Sequence, residues 1–312
     1  MNHIQFGACE FCFPVWGALA IEMAHDAGFQ GMQITDGGGY LQPHPLNNGF
    51  VEYERFGLDL RRKDSFPLTD EWVQNDYLEA AAKFGMTLTG IDLYLLDRQG
   101  FVKFASGTPQ GRQCLETIQN AVHAAAQMNI PSVTIPLRGM FGVGQHAYAL
   151  QKLQYAAEVG REYGVQILAA ADTGLGYRME IMDALQGAVK LDFNTIDPLV
   201  TASGSAAEMI AALGTDRIGR FRFRDLSADS EGFVTRETGR AALLGQGDGG
   251  FLSCAEAVKS SGYSGWVLSE TAYYSVDLNV GGEDYVSLAR QDVQTLKTVF
   301  HAEAGRVNHG QI

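Results

Sequence analysis

One unit recurs through this chain: an amphipathic helix, a residue suited to a left-handed cap, then a short apolar strand. In IEMAHDAGFQGMQIT the helix carries Ile21, Ala24 and Ala27, stops at Gly28 and gives way to the strand GMQIT. The unit returns in YLEAAAKFGMTLTGIDLYL at Gly85, in CLETIQNAVHAAAQMNIPSVTIPL at Asn129 and in LQYAAEVGREYGVQILAAAD at Gly164. It returns again in MDALQGAVKLDFN at Gly187, AAEMIAALGTDRIGRFRFRD at Gly214 and AVKSSGYSGWVLSE at Gly262. With FGAC near the start this makes eight strands. Apolar strands that alternate with helices form parallel βαβ units. Eight in 312 residues predict an α/β fold, a single-domain (β/α)8 TIM barrel over residues 1–300, with 301–312 as a C-terminal tail. A doubly wound sheet would show a glycine-rich phosphate turn after its first strand. Here GQGDGG comes after the seventh strand and lacks a Walker lysine, so it reads as a loop and helix entry and no nucleotide cofactor is expected.

Composition narrows the function classes. Lys plus Arg is 23 and Asp plus Glu is 36, a net charge of −13, which repels phosphate backbones and argues against nucleic acid as a partner. No stretch approaches the ~20 apolar residues that span a membrane, and the first residues lack the basic region of a signal peptide. The four cysteines, Cys9, Cys12, Cys114 and Cys254, are too few for a disulfide scaffold, which points to a reduced, cytoplasmic setting. Cys9 and Cys12 form a C-x-x-C without a second ligand pair and read as small buried residues.

Chemistry in such barrels sits at the C-terminal ends of the strands. That rule selects Asp36 and the glycines after it, Asp92 and Tyr94, Arg138, Asp172, Asp192 with Asn194, the arginines of RFRFRD, and Glu270. The long segment from Asp36 to Gly57, with His44, and the glycine-rich RGMFGVGQH, with His146, are lid candidates. Trp16 and the Tyr273–Tyr274 pair are placed to pack against a sugar face. In RFRFRD a period of two puts Arg220, Arg222 and Arg224 on one face and Phe221 and Phe223 on the other. The phenylalanines suit the helix-covered outside, so the arginines point inward and must be paired there. Asp192 and Glu270, on the flanking strands, are the natural partners. Two uses stay open: an ion-pair network as structural glue, or Arg222 as electrophile and anion clamp.

The late LLGQGDGGF turn, the terminal SGWVLSE and the run from GFQGMQI to LSETAYY resemble the xylose-isomerase-like barrel superfamily. Its members include ketose 3-epimerases, inosose dehydratases, hydroxypyruvate isomerases and an endonuclease branch. The resemblance implies one divalent metal, Mn or Mg, held by Glu, Asp, His and Glu at the ends of strands 5, 6, 7 and 8. The last Glu falls on Glu270 and the Asp on Asp192. The strand-5 Glu position is Ala170, and the family H-x-H-x-K-D pattern puts the ligand His on Arg222 with Arg220 at the other His. Gln33 falls where many relatives carry Glu. Arginine stays protonated and has no lone pair for a metal. Asp172, two residues beyond Ala170, shares its face, so Asp192, Glu270 and Asp172 are the candidate metal ligands. The endonuclease branch needs further histidines at strand ends, and this chain has none there.

The resemblance therefore implies a sugar isomerase or epimerase that abstracts a proton next to a carbonyl. Glu270 is the expected base, Asp192 an orienting or metal-binding carboxylate, Arg222 the electrophile and Asp172 a second acid/base. Arg220, Arg224, Asn194, Trp16, His146 and Asp36 are the expected substrate contacts. The alternatives are a lyase or dehydratase acting on a keto-sugar or inositol derivative, and a non-catalytic sugar-acid-binding or partner subunit. The expected ligand is a small carbohydrate, neutral or anionic. Barrels of this group pair, so a homo-oligomer is implied by the resemblance.

Overall fold

Ten strands are present in the computed structural model, which describes residues 3–36, 66–139, 143–228, 239–278, 282 and 284–301. They are Ile4–Cys9 (β1), Gly31–Thr35 (β2), Thr87–Asp92 (β3), Ser132–Pro136 (β4), Gln166–Ala170 (β5), Val189–Asn194 (β6), Ile218–Phe223 (β7), Asp225–Ser227 (β8), Arg240–Ala242 (β9) and Gly265–Ser269 (β10). Eight close into a barrel in the order β1-β10-β7-β6-β5-β4-β3-β2. Every barrel pairing is parallel, as expected of βαβ units. The helices are Ala18–Ala27 (α1), Glu71–Phe84 (α2), Tyr94–Gln99 (α3), Pro109–Gln127 (α4), Val143–Tyr163 (α5), Leu175–Leu185 (α6), Asp197–Val200 (α7), Ala206–Leu213 (α8), Phe251–Ser260 (α9) and Tyr285–His301 (α10).

The seven cap residues read from the sequence all carry positive φ, from 54° at Asn129 to 99° at Gly28. At Gly28 the amide donates to Ala24 and His25 carbonyls at 3.2 and 2.8 Å, which closes α1 before β2 begins. Asparagine is the side chain that best tolerates this region, which explains why Asn129 serves after α4.

The alternation in β7 is as the sequence implies. Phe223 packs outside the barrel against Phe251 and Phe300, at centroid distances of 5.5 and 5.7 Å. Phe221 packs against Tyr263 at 4.8 Å and Phe193 at 5.8 Å. Burying each ring stabilises the barrel–helix contact by about 1.5–3 kcal/mol. Arg220 and Arg222 turn into the lumen and are fully buried. Gly90 on β3 makes room for Arg220: a Cβ there would lie 2.6 Å from Arg220 Nη1 and 2.5 Å from Ser132 Oγ.

The glycine-rich turn after β9 holds an internal anion. Gly245, Gly247 and Gly249 donate their amides to the Asp225 carboxylate at 3.0, 3.1 and 2.8 Å. A Cβ on Gly247 or Gly249 would come within 2.5 or 2.6 Å of Asp225 Oδ1, so the wrap requires glycine. The turn then opens α9 at Phe251, as a helix entry.

Three details differ from the sequence reading. The third strand ends at Asp92 instead of running through Tyr94, because the chain turns into α3, whose Leu95 amide is capped by Asp36 Oδ2 at 2.9 Å. His146 lies in the first turns of α5, not in a free loop. The antiparallel ribbon of β8 and β9 has three residues per strand, too few to show a period. The Gly37–Gly39 run, His44, the tip around Phe141 and the tail after His301 lie outside the described residues. All four cysteines are buried and unpaired. Among the described residues no helix is long and apolar enough to cross a membrane.

Candidate active site

The lumen is filled by charge in two layers. In the lower layer Arg220 Nη2 donates to Asp192 Oδ2 and to Thr134 Oγ1, both at 2.6 Å, and Nη1 to the Thr89 carbonyl at 3.3 Å. Thr134 donates to the same Asp192 oxygen at 2.8 Å. Gln33 spans the layers: its Nε2 reaches Asp92 and Asp192 at 3.4 Å and Thr134 at 3.2 Å, while its Oε1 accepts from the Cys9 thiol at 3.3 Å.

In the upper layer one guanidinium stands among three carboxylates. Arg222 Nη1 donates to Asp92 Oδ2 at 3.0 Å and lies 3.2 Å from Glu270 Oε2, while Nε lies 3.2 Å from Asp192 Oδ1. Its Nη2 is buried without a hydrogen bond. Glu270, one residue past β10, is anchored by its own amide on the Phe223 carbonyl at 2.8 Å. Asn194 Nδ2 donates to Glu270 Oε1 at 2.8 Å, and Asn194 Oδ1 accepts from the Ile196 amide, so both ends of that side chain are used. Arg224 and Arg138 approach Glu270 Oε1 to 3.9 and 4.0 Å.

These surroundings separate the carboxylates by their protonation. Burial opposes the charge on Asp192, but Arg220 and Arg222 outweigh it and hold the carboxyl down to about 2. Glu270 is likewise buried, and Arg222, Arg138 and Arg224 hold it below the ordinary value. Burial wins at Asp92 and pushes it up to about 6, against the opposing pull of Arg222 and Arg138. Burial disfavours the charge on Arg222, yet Asp192, Glu270 and Asp92 drive its pKa well above the ordinary value.

A small cleft of about 40 Å³ opens above this layer. Asp92 and Arg222 form its floor. Phe11 and Tyr94 form one wall, their rings stacked at 5.6 Å and 16°. Arg138 and Asp97, with Pro136 and Ala170, form the rest. Of the expected site residues, the structure brings together Asp192, Glu270, Arg220, Arg222, Arg224 and Asn194. It uses others elsewhere. Asp172 accepts from the Gly139 amide at 3.2 and 3.3 Å. Asp36 caps α3, His146 stacks on Tyr177 at 3.8 Å, and the Trp16 ring lies 6.2 Å from Tyr94, away from the cleft lining. Asp92 and Arg138, flagged only as strand-end residues, line the cleft itself; Phe11 and Asp97 do so without any sequence signal.

The residues present do not fit a divalent metal. Ala170 offers no ligand, and the Arg222 guanidinium fills the space between Asp92, Asp192 and Glu270. The three-carboxylate set of Asp172, Asp192 and Glu270 is not assembled, because Asp172 is drawn to Gly139. Among the described residues no group of three or more His, Cys, Asp or Glu side chains is arranged to hold a metal ion.

The comparisons with known proteins agree with this frame. A protein-family model described as xylose isomerase-like TIM barrel matches residues 21–299. The chain belongs to that family. No curated protein sequence matches this xylose isomerase-like barrel. Among solved structures it is similar to the IOLI protein with a bound zinc atom, at a TM-score of 0.69 and 14% identity over 96% of this chain and 100% of that one. It is also similar to D-allulose 3-epimerase from Methylomonas sp., at a TM-score of 0.64 and 16% identity over 96% and 98% of the two chains. The apo 3-keto-D-glucoside 4-epimerase YcjR from E. coli follows, at 0.62 and 14% over 95% and 99%. At these identities the likeness shows the fold.

Proposed function

We propose that this xylose isomerase-like barrel is an isomerase-type enzyme that moves a proton next to the carbonyl of a polyhydroxylated substrate, with Arg222 as its fixed electrophile. The observation that carries the reading is the Arg222 guanidinium on the cleft floor, held by three carboxylates and retaining an unused Nη2. A guanidinium held in this way stabilises the oxyanion that forms when a proton leaves the adjacent carbon. Asp92 takes that proton and returns it to the former carbonyl carbon, while the proton of the hydroxyl on the deprotonated carbon passes to the oxyanion, so the carbonyl moves by one carbon. It faces the cleft, and with its carboxyl near 6 it exchanges protons around neutral pH. Glu270 and Asp192, held ionised by arginines, orient Arg222 in this scheme and do not carry the proton. The sugar epimerases among its structural neighbours support the same class of chemistry.

A second reading has its own support. Among the described residues, the carboxylates lining the cleft, Asp92 and Asp97, come from β3 and α3, while Pro136 and Ala170 line it without one. Inversion at carbon by two bases needs a carboxylate on each side, so one-base isomerisation competes with one-base loss of water from a keto-sugar. Incubation of ketoses and keto-inositols in D2O, followed by NMR, separates them. Deuterium with isomeric product supports isomerisation, and deuterium with a dehydrated product supports the lyase. No exchange with any of them overturns the proton-transfer reading.

A further inference from the structure

We infer that the ligand of this cleft carries a carboxylate, and that Arg138 is the residue that receives it. The inference rests on the polyhydroxylated substrate read above and names its class: a sugar acid.

Arg138 lies two residues past β4 and lines the cleft beside Arg222. Its side chain is 21% exposed, yet its nearest carboxylate oxygens stand at 3.9 Å on Asp97 and 4.0 Å on Glu270. Both are beyond hydrogen-bond range. Among the described residues Arg138 therefore has counter-charges but no hydrogen bond. A guanidinium has five donors in a planar fork, and withdrawing most of it from water without a bond is costly. A ligand carboxylate satisfies two of those donors at once. The neighbouring Arg222 also retains an unbonded Nη2.

Local charge agrees. The chain carries a net −13, yet the site gathers Arg138, Arg220, Arg222 and Arg224 among Asp92, Asp97, Asp192 and Glu270, with Asp197 also acting on Arg138. A neutral sugar has no need of a guanidinium with unused donors in so acidic a protein.

The single negative charge of a carboxylate suits the site better than a phosphate dianion. Phosphates are held by backbone amides at helix starts and glycine-rich turns. Among the described residues, two such places are filled by the protein's own carboxylates. Asp36 occupies the Leu95 amide of α3, and Asp225 occupies the amides of Gly245, Gly247 and Gly249. The cleft itself offers the Arg138 fork beside Asp97, and the stacked rings of Phe11 and Tyr94 in the same lining suit the C–H face of a sugar.

The test is isothermal titration of the full chain with D-glucuronate and D-gluconate against D-glucose, D-fructose and glucose 6-phosphate. The acids are expected to bind about 10- to 100-fold more tightly than the neutral sugars. Arg138→Gln is expected to erase that difference and Arg138→Lys to restore part of it, with unchanged thermal melts showing that both variants fold. No binding of either acid, equal binding of neutral sugars, tighter binding of the phosphate, or a preference that survives Arg138→Gln overturns the inference. Acid-selective binding without deuterium exchange in any sugar would uphold the carboxylate site and sink the proton-transfer reading. Exchange on a neutral ketose without acid preference would do the reverse.

Discussion

Glu10 and Glu270 are both buried glutamates at the C-terminal end of the barrel, and their surroundings are opposite. Glu10 is saturated by neutral donors: the Gly17 amide and Tyr77 hydroxyl at 2.7 Å on one oxygen, the Thr35 amide at 2.7 Å and hydroxyl at 2.8 Å on the other. Burial still raises its pKa, because hydrogen bonds offset only part of the desolvation. Glu270 has one neutral donor, Asn194, and three guanidinium groups within 4.0 Å. Its Oε2 has no aligned hydrogen bond, and neither do Asp192 Oδ1 and Arg222 Nη2 beside it. A saturated carboxylate ties β1, β2 and α2 together. The charge cluster around Arg222 is held by ion pairs and keeps buried polar atoms without an aligned hydrogen bond. Between these two glutamates, completeness of hydrogen bonding separates scaffold from site.

Four experiments bear on that contrast. The largest effect is expected at the cleft floor: Asp92→Asn should lower the rate of deuterium exchange about 10²- to 10⁴-fold. In the wild type the rate should rise with pH through about 6, where Asp92 ionises and becomes a base. A pH-independent rate would break the assignment. Next comes Arg222→Leu, which strands Asp92, Asp192 and Glu270 without their shared cation. Urea unfolding at neutral pH should show a loss of about 3–5 kcal/mol.

Asp292 extends the scaffold side of the comparison. It is fully buried and takes the Leu244 amide at 2.8 Å and the hydroxyls of Ser269 and Tyr273 at 3.0 Å, all neutral donors. Burial raises it from 3.8 to about 6. The folded state therefore binds the proton more tightly than the unfolded chain. The resulting stability is fully present below the unfolded value and is lost as pH rises through about 6. The stability of the wild type relative to Asp292→Asn should fall by roughly 3 kcal/mol between pH 3.5 and 7. The smallest effect is expected at Glu10. Glu10→Gln turns one acceptor into a donor that faces existing donors, and should cost about 1–3 kcal/mol of stability while sugar affinity stays unchanged. Glu270→Gln should show the opposite balance, with the larger change in ligand affinity. Equal patterns in the two variants would erase the distinction between scaffold and site.

The barrel was legible because its signals are local and repeated. Seven helix ends carry the positive-φ residue the sequence marks, and the eight barrel strands are each five or six residues long. The inward arginines were legible for the same reason, since Phe221 and Phe223 fix which face is outside. Which carboxylates those arginines meet was only half legible. Asp192 and Glu270 flank β7 in the sheet, but Arg222 also reaches across the lumen to Asp92 on β3, a pairing that depends on barrel closure. Asp172 failed for a related reason. Its face was read correctly from its distance to Ala170, yet residues past a strand end follow the loop, and the Gly139 amide decides where it bonds. Glu10 left no trace in the sequence, since nothing around it announces the four donors that converge from Gly17, Thr35 and Tyr77.

The central claim is that the Arg222 guanidinium fills the space between Asp92, Asp192 and Glu270, where the family resemblance would place a divalent ion. Equilibrium dialysis of the purified wild-type chain against Mn2+ at neutral pH, followed by elemental analysis, tests it most directly. The account predicts no bound metal above the level of Glu270→Gln. About one Mn2+ per chain in the wild type, lost in Glu270→Gln, would contradict it.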